Sequence, residues 1–254
     1  GLGIPAEPLF RSRSWWGEEI YDSQEYTIFV GGSTIDDIQQ GNIGDCYFLS
    51  VLGSLCVFPD FFDKLFHIKD KTKEHVYGVY LYLNGKWELV LVDDYFPYEG
   101  FGFKQFAFSC SSENEIWVAL LEKAWAKVNG GYANIIGGTP MEALEFLTGF
   151  SSLSYDTENK DSEDLNEYKI EIVKHLQAAD KNSSIISCTT TSKENVDKVG
   201  LVNGYTYNML DFFHIEKSDG NKVYLFKLRN PWSKGEWNGD WSDKSSLWDD
   251  KTKN

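Results

Sequence analysis

From Cys46 to Phe58 apolar residues fall at positions 47, 48, 51, 52 and 55, the spacing of one face of an α-helix, and Pro59 is expected to end it. Further on, HVYGVYLYL and KWELVLV flank Asn84-Gly85, the strongest short signal for a β-hairpin, with Asp93, Asp94 and Pro97 closing the second strand. The stretch SSENEIWVALLEKAWAKV opens with Ser112 and Glu115 at capping-box spacing. Apolar residues then recur at 116, 117, 120, 121, 124, 125 and 128, which predicts a long, mostly buried helix. Thr139-Pro140 with Glu142 marks another helix start before MEALEFL, and Gly149 breaks that helix.

Residues 154–167, SYDTENKDSEDLNE, are polar and acidic. Their closely spaced carboxylates look like a calcium loop, but the mid-loop Gly and final Glu of an EF-hand are missing. The segment reads as a solvated loop leading into a helix over about 164–178. IISCTTT, YTYNMLDFFHI and KVYLFKLRN follow as strands, with a turn at Asp219-Gly220. The pattern is α+β, dividing near residue 148 into a helix-rich first lobe (1–148) and a strand-rich second lobe (149–254), with no internal repeat.

Composition narrows the picture. A chain of 254 residues buries roughly 70–75% of the surface its unfolded form exposes, so it is globular. No apolar run approaches the roughly 20 residues that span a bilayer, and GLGIPAEPLF lacks the character of a signal peptide. The absence of an initiator Met leads to the expectation of a fragment of a longer parent. A net charge of −15 repels phosphate backbones, which disfavours nucleic acid and anionic membrane as partners. Cysteines at 46, 56, 110 and 188 form no CxxC pair, and a chain this long needs no disulfide, so a reducing cytoplasm is the expected compartment.

The residues QQGNIGDCYFLS place Cys46 at the first turn of a predicted helix, where the positive end of the helix dipole favours a thiolate. Gly41 and Gly44 allow close backbone approach to a substrate. Gln40 offers an amide that, with the Cys46 backbone N–H, can donate to a developing oxyanion. Taken alone, a cysteine at a helix start is equally a small buried hydrophobe.

Several segments, in order, decide between these readings. QGNIGDCYFLSVLGSL, WELVLVDDYFP, EIWVALLEKAWAKVNGGY, GGTPMEALEFLTG, GLVNGYTYNM and LRNPWSKGEWNGDWSD together resemble the calpain-type cysteine protease core, over about Val30 to Asp243. The resemblance implies a papain-like two-lobe architecture with a cleft between the lobes. It also implies Gln40 as oxyanion donor, Cys46 as nucleophile, Asn230 as the residue orienting the base, and Trp232 as the cover of that pair. Tyr47 stands where the family usually has Trp. Read without the resemblance, Asn230-Pro231 is a turn after a strand.

One position departs from the pattern in a way that touches chemistry. Where the family carries its general-base His after Gly, this chain has Tyr205. An imidazole holds the thiolate as an ion pair and then protonates the departing amine. A phenol of pKa near 10 is only about a thousandth ionised at pH 7 and never positive. Loss of the His from a comparable triad costs about 10⁶ in kcat, roughly 8 kcal/mol. His214, nine residues on along one predicted strand, lies about 30 Å away, and His67, His75 and His175 match no catalytic segment. The expectation is a protease fold with proteolysis lost or severely weakened; the alternatives are an active endopeptidase assisted by Tyr205 or another group, and a purely structural interaction module.

The resemblance further implies calcium. The positions matching the first-lobe site are Val30, Gly32, Asp37 and Glu122, a set of carboxylates and backbone carbonyls of the hard-oxygen kind calcium takes. Glu236 and Asp243 match the second-lobe site, whose remaining ligands are expected beyond Asn254. Peptide or protein ligands and further domains of a longer chain complete the expectation.

Overall fold

The computed structural model describes residues 21–22, 26–99, 105–111, 114–156, 162–181, 184–191, 196–217, 220, 222–232 and 234–248. The chain divides into two compact units, Gly1–Phe150 and Ser151–Asn254.

In the first unit, the short strand β1 (Tyr21–Asp22) pairs antiparallel with β4 (Tyr95–Phe96). Helix α1 (Cys46–Leu55) carries the predicted apolar spacing, and all ten of its residues are buried, so it is a central helix with no solvent face. Pro59 does more than stop it: it sits in the first turn of a new helix, α2 (Pro59–Phe62), where a missing N–H costs nothing. The hairpin of β2 (Val76–Leu83) and β3 (Lys86–Asp93) runs in register from Val76↔Asp93 to Leu83↔Lys86. Asn84 and Gly85 both have positive φ (51° and 81°), as a type I′ turn requires. A second small hairpin joins β5 (Tyr98–Glu99) and β6 (Gln105–Phe106).

Helix α3 (Trp117–Val128) begins later than its capping-box spacing predicts. Ser112 lies outside the described residues. Glu115, instead of sitting inside a helix, belongs to a parallel bridge with Thr27, in which the Thr27 N–H donates to the Asn114 carbonyl and the Ile116 N–H to the Thr27 carbonyl, each at 3.0 Å. That extended pairing holds the backbone out of helical geometry until Trp117. Helix α4 (Pro140–Thr148) realises its box: the Glu142 N–H donates to Thr139 Oγ1 and the Thr139 N–H to Glu142 Oε2, both at 3.3 Å. Gly149, at φ 72°, ends it in the left-handed region.

The core of this unit is aromatic. Phe48 stacks on Trp125 with ring centroids 5.4 Å apart, and Trp125 meets Phe146 edge-on at 4.6 Å, which couples α1, α3 and α4. Phe62 and Phe29 gather on Trp117. Buried Lys123 reaches out of α3 to Asp93 and the Tyr95 carbonyl, fixing the helix to the end of β3.

The second unit contains α5 (Ser162–Lys181), longer at both ends than predicted, and a three-stranded antiparallel sheet in the order β7 (Ser187–Thr189), β8 (Thr206–Glu216), β9 (Lys222–Arg229). A register shift interrupts the β8–β9 pairing between Met209 and Asp211. Residues 157–161 of the acidic loop, and Asp219 of the predicted turn, lie outside the described residues.

Candidate functional site

Cys46 is the first residue of α1 and is only 9% exposed. The loop before it is held against segment 107–110. Gln39 and Cys110 exchange two backbone hydrogen bonds at 3.0 Å, and the Asn42 N–H donates to the Ala107 carbonyl at 3.1 Å. Gly41 lies between these ties, and a Cβ there would sit 2.1 Å from the Phe108 carbonyl oxygen. Gly41 thus permits approach to the protein's own backbone, which corrects the reading that it faces a substrate. Gly44 is open by comparison, with the nearest atom, Ile136 Cγ2, at 3.9 Å from such a Cβ. The Gln40 side-chain amide donates to the Ile43 carbonyl at 2.7 Å, so the donor expected to meet an oxyanion also braces the loop that leads into Cys46.

Tyr47, in the place of the family's usual Trp, is built into the core. Its phenol donates to the Ile135 carbonyl at 3.2 Å and accepts from Trp125 Nε1 at 3.0 Å. Its ring lies so close to Gly138 that a Cβ there would come within 2.5 Å of it. Burial, then the neighbouring charge of Asp45, push its phenol above the usual range, so it stays a neutral hydrogen-bonding group.

Of the four positions expected to form a first calcium site, the structure links Val30 and Asp37 through a different glutamate. Glu122 is buried inside α3, where its carboxyl accepts the Ser109 N–H at 3.0 and 3.2 Å, and it does not belong to the Val30 group. The carboxylate beside Val30 is Glu115, whose Oε2 accepts the Val30 N–H at 2.7 Å. Its Oε1 accepts from Ser111 Oγ (2.6 Å) and Trp117 Nε1 (3.0 Å). Burial raises the Glu115 pKa, the hydrogen bonds work against that, and the negative charge of Asp37 adds to it. Asp37, itself buried, takes the Thr34 N–H on Oδ2 at 2.7 Å. Gly31 and Gly32 both have positive φ (73° and 107°), which curls the loop between Val30 and Thr34. The clue to Glu115 lay in the sequence only as a misplaced capping residue.

In the second unit, Tyr205 precedes β8 and is buried. Its N–H donates to Thr190 Oγ1 at 3.0 Å, its carbonyl accepts the Thr190 N–H at 2.9 Å, and its ring meets Tyr207 edge-on with centroids 5.2 Å apart. Asn230 follows β9 and spends both ends of its amide on its own turn: Nδ2 donates to the Lys234 carbonyl (2.7 Å) and Oδ1 accepts the Trp232 N–H (2.9 Å). Trp232 is exposed, with the Lys234 ammonium 4.8 Å from the centre of its ring. Glu236 is held through its backbone, its carbonyl so near Gly200 that a Cβ there would lie at 1.8 Å, and Asp243 is exposed. Among the described residues, no group of three or more His, Cys, Asp or Glu side chains gathers as a metal site.

Each histidine has an occupation. His214 lies exposed on β8 opposite Tyr224, past the register shift. His175 approaches Glu171 one helical turn away at 3.6 Å, and His67 Nδ1 lies 3.1 Å from the Tyr80 hydroxyl. His75 Nδ1 lies 3.0 and 3.1 Å from the two oxygens of fully buried Asp94, which also accepts from the Tyr77 hydroxyl at 3.0 Å. His75 is thus half-exposed and held as a structural partner of Asp94.

Comparison with known proteins addresses the fold and the nucleophile loop together. Residues 10–254 match the calpain family cysteine protease domain. A calpain of Schistosoma mansoni is 33% identical over 249 residues, covering 95% of this chain and 32% of that protein. Calpain-14 of Homo sapiens is 34% identical over 216 residues, covering 84% and 30%. A calpain-type cysteine protease of Oryza sativa subsp. japonica is 32% identical over 240 residues, covering 93% and 11%. The chain thus spans about a third or less of the length of these relatives, which carry further segments. With the domain match running nearly end to end across the mixed helix-and-strand fold, the chain belongs to the calpain family of cysteine proteases.

Proposed function

We propose that this calpain-family domain has lost, or retains only a trace of, peptide hydrolysis, and that it serves calcium-responsive recognition of peptide or protein segments within a longer cytoplasmic protein. The observation that carries the reading is Tyr205. The family pattern calls there for an imidazole, and the chain supplies a buried tyrosine whose backbone bonds to Thr190 and whose ring meets Tyr207. A neutral phenol gives the Cys46 thiol no cation to pair with and cannot take its proton near pH 7. The four histidines all have other partners.

Calcium fits the first unit through its donor chemistry. Asp37 and Glu115 are buried acids of like charge close enough to influence one another, beside a glycine loop. A bound divalent cation offsets that repulsion. Asp37, Glu115 and the backbone carbonyls of Val30 and Gly32 would hold it, with water completing the six to eight oxygens calcium takes. For the second unit, Glu236 and Asp243 remain the proposed contributors, as two exposed acids.

An active endopeptidase is the competing reading, favoured by the intact Gln40 loop and the helix-start position of Cys46. The test is calorimetric titration with calcium beside a casein or fluorogenic-peptide assay. Calcium binding without calcium-stimulated cleavage supports the proposal, and turnover within tenfold of an active calpain core defeats it. Neither calcium binding nor cleavage would leave a structural module.

A further inference from the structure

We propose that Asp45 and Glu122 are a positioning pair: two buried carboxyl groups that hold one proton between them and so tie the start of the Cys46 helix to α3. Asp45 stands at the N-cap of α1, where an aspartate ordinarily accepts an N–H from the first turn. Here its side chain makes no cap bond. It is wholly buried, and among the described residues neither of its oxygens has a hydrogen-bond donor. What it faces is the carboxyl group of Glu122, 1% exposed on α3, within hydrogen-bond reach. Two ionised carboxylates have nothing to donate to each other. A single proton converts the contact into an O–H···O⁻ bond, among the strongest that proteins form.

The surroundings favour that proton. An isolated buried carboxylate takes up a proton because solvation is lost. Burial raises Asp45 to about 6 and raises Glu122 well above the usual carboxylate range, with Asp45's own charge adding to the effect on Glu122. The groups that feel the pair are Tyr47 from α1, Cys110 from the segment before α3, and Tyr132 beyond it. Burial first, then the acids, push each of them up, Cys110 to about 11, so each is neutral near pH 7 and none is a cation that could pair with the acids. Asp93 also bears on Tyr132. Lys123, next to Glu122, is turned to Asp93 and the Tyr95 carbonyl. Ser109 supplies its backbone N–H to Glu122, which favours charge there, while the N-terminal end of α1 favours charge on Asp45, so each member has a reason to give up the proton and the two share it. This arrangement does not depend on whether the thiol still cleaves peptides.

The experiment is infrared spectroscopy of the chain at pH 7.5, with denaturant unfolding across pH. The wild type is expected to show the carbonyl band of a protonated carboxylic acid that Glu122→Gln and Asp45→Asn each remove. Both folded-state pKa values are raised, so the pair's stabilisation is complete below about pH 4 and is lost as pH rises through about 6 and above. Glu122→Gln, a fixed donor, is expected to keep the folding constant at pH 7.5 within about tenfold and to flatten that decline, whereas Glu122→Ala lowers it on the order of a hundredfold. If the alanine variant fails to fold, the two amide variants and the band still decide. The proposal is overturned by absence of the band, by amide variants that keep the band, or by a sodium, potassium or calcium requirement showing that a cation takes the proton's place.

Discussion

Glu115 accepts the Val30 backbone N–H at 2.7 Å, although the helical pattern of its own segment had placed it inside a helix start. Seven residues on, inside α3, Glu122 is equally buried but accepts the Ser109 N–H instead. Similar local settings thus hold two glutamates with separate roles, one at a curled glycine loop and one in the core. Calorimetry separates them: Glu115→Gln should weaken calcium binding at least tenfold, about 1.4 kcal/mol, whereas Glu122→Gln should leave it within about twofold. Equal losses would return Glu122 to the calcium site.

If the missing base is the whole defect, Tyr205→His should raise calcium-stimulated peptide cleavage by about 10² or more, and Cys46→Ala should abolish the gain. Measured turnover unchanged by Tyr205→His would place further defects elsewhere, for example in Asn230, whose amide is committed to Trp232 and Lys234.

Thiol chemistry offers a pH-dependent check. Burial raises Cys188 to about 11, and burial with the Glu122 charge does the same for Cys110. At pH 7 each is thiolate only about once in ten thousand. Iodoacetamide followed by peptide mass spectrometry should label Cys46 at least tenfold faster than either, with labelling of Cys110 and Cys188 rising about tenfold per pH unit up to 11. Because their folded pKa values are raised from 9.0, the stability they contribute is complete below pH 9 and falls as pH rises through 11.

Gly138 exists for the Tyr47 ring. Gly138→Ala puts a methyl 2.5 Å from that ring and should cost about 1–3 kcal/mol in urea unfolding. Tyr47→Phe removes the phenol bridging Trp125 and Ile135 and should cost about 1 kcal/mol. In the double variant Tyr47→Ala, Gly138→Ala, the glycine substitution should become nearly neutral; an undiminished cost would mean the ring is not what the methyl meets.

Local chemistry was written plainly along the chain wherever neighbours in sequence decide geometry. Asn84-Gly85 made its hairpin because only those residues take successive positive φ cheaply. Thr139 and Glu142 made their capping box, and the apolar spacing after Cys46 made α1. The ordered family segments, including the Tyr at position 205, were legible for the same reason, since identity and order need no coordinates. What pairing across the chain decides was not legible. Thr27 captures Glu115 and delays α3, Gly41 is emptied by Phe108 and not by a substrate, and Asp45 forgoes its cap to meet Glu122. Each outcome depends on a partner tens of residues distant, and periodicity carries no record of which distant backbone or carboxyl will arrive beside a given side chain.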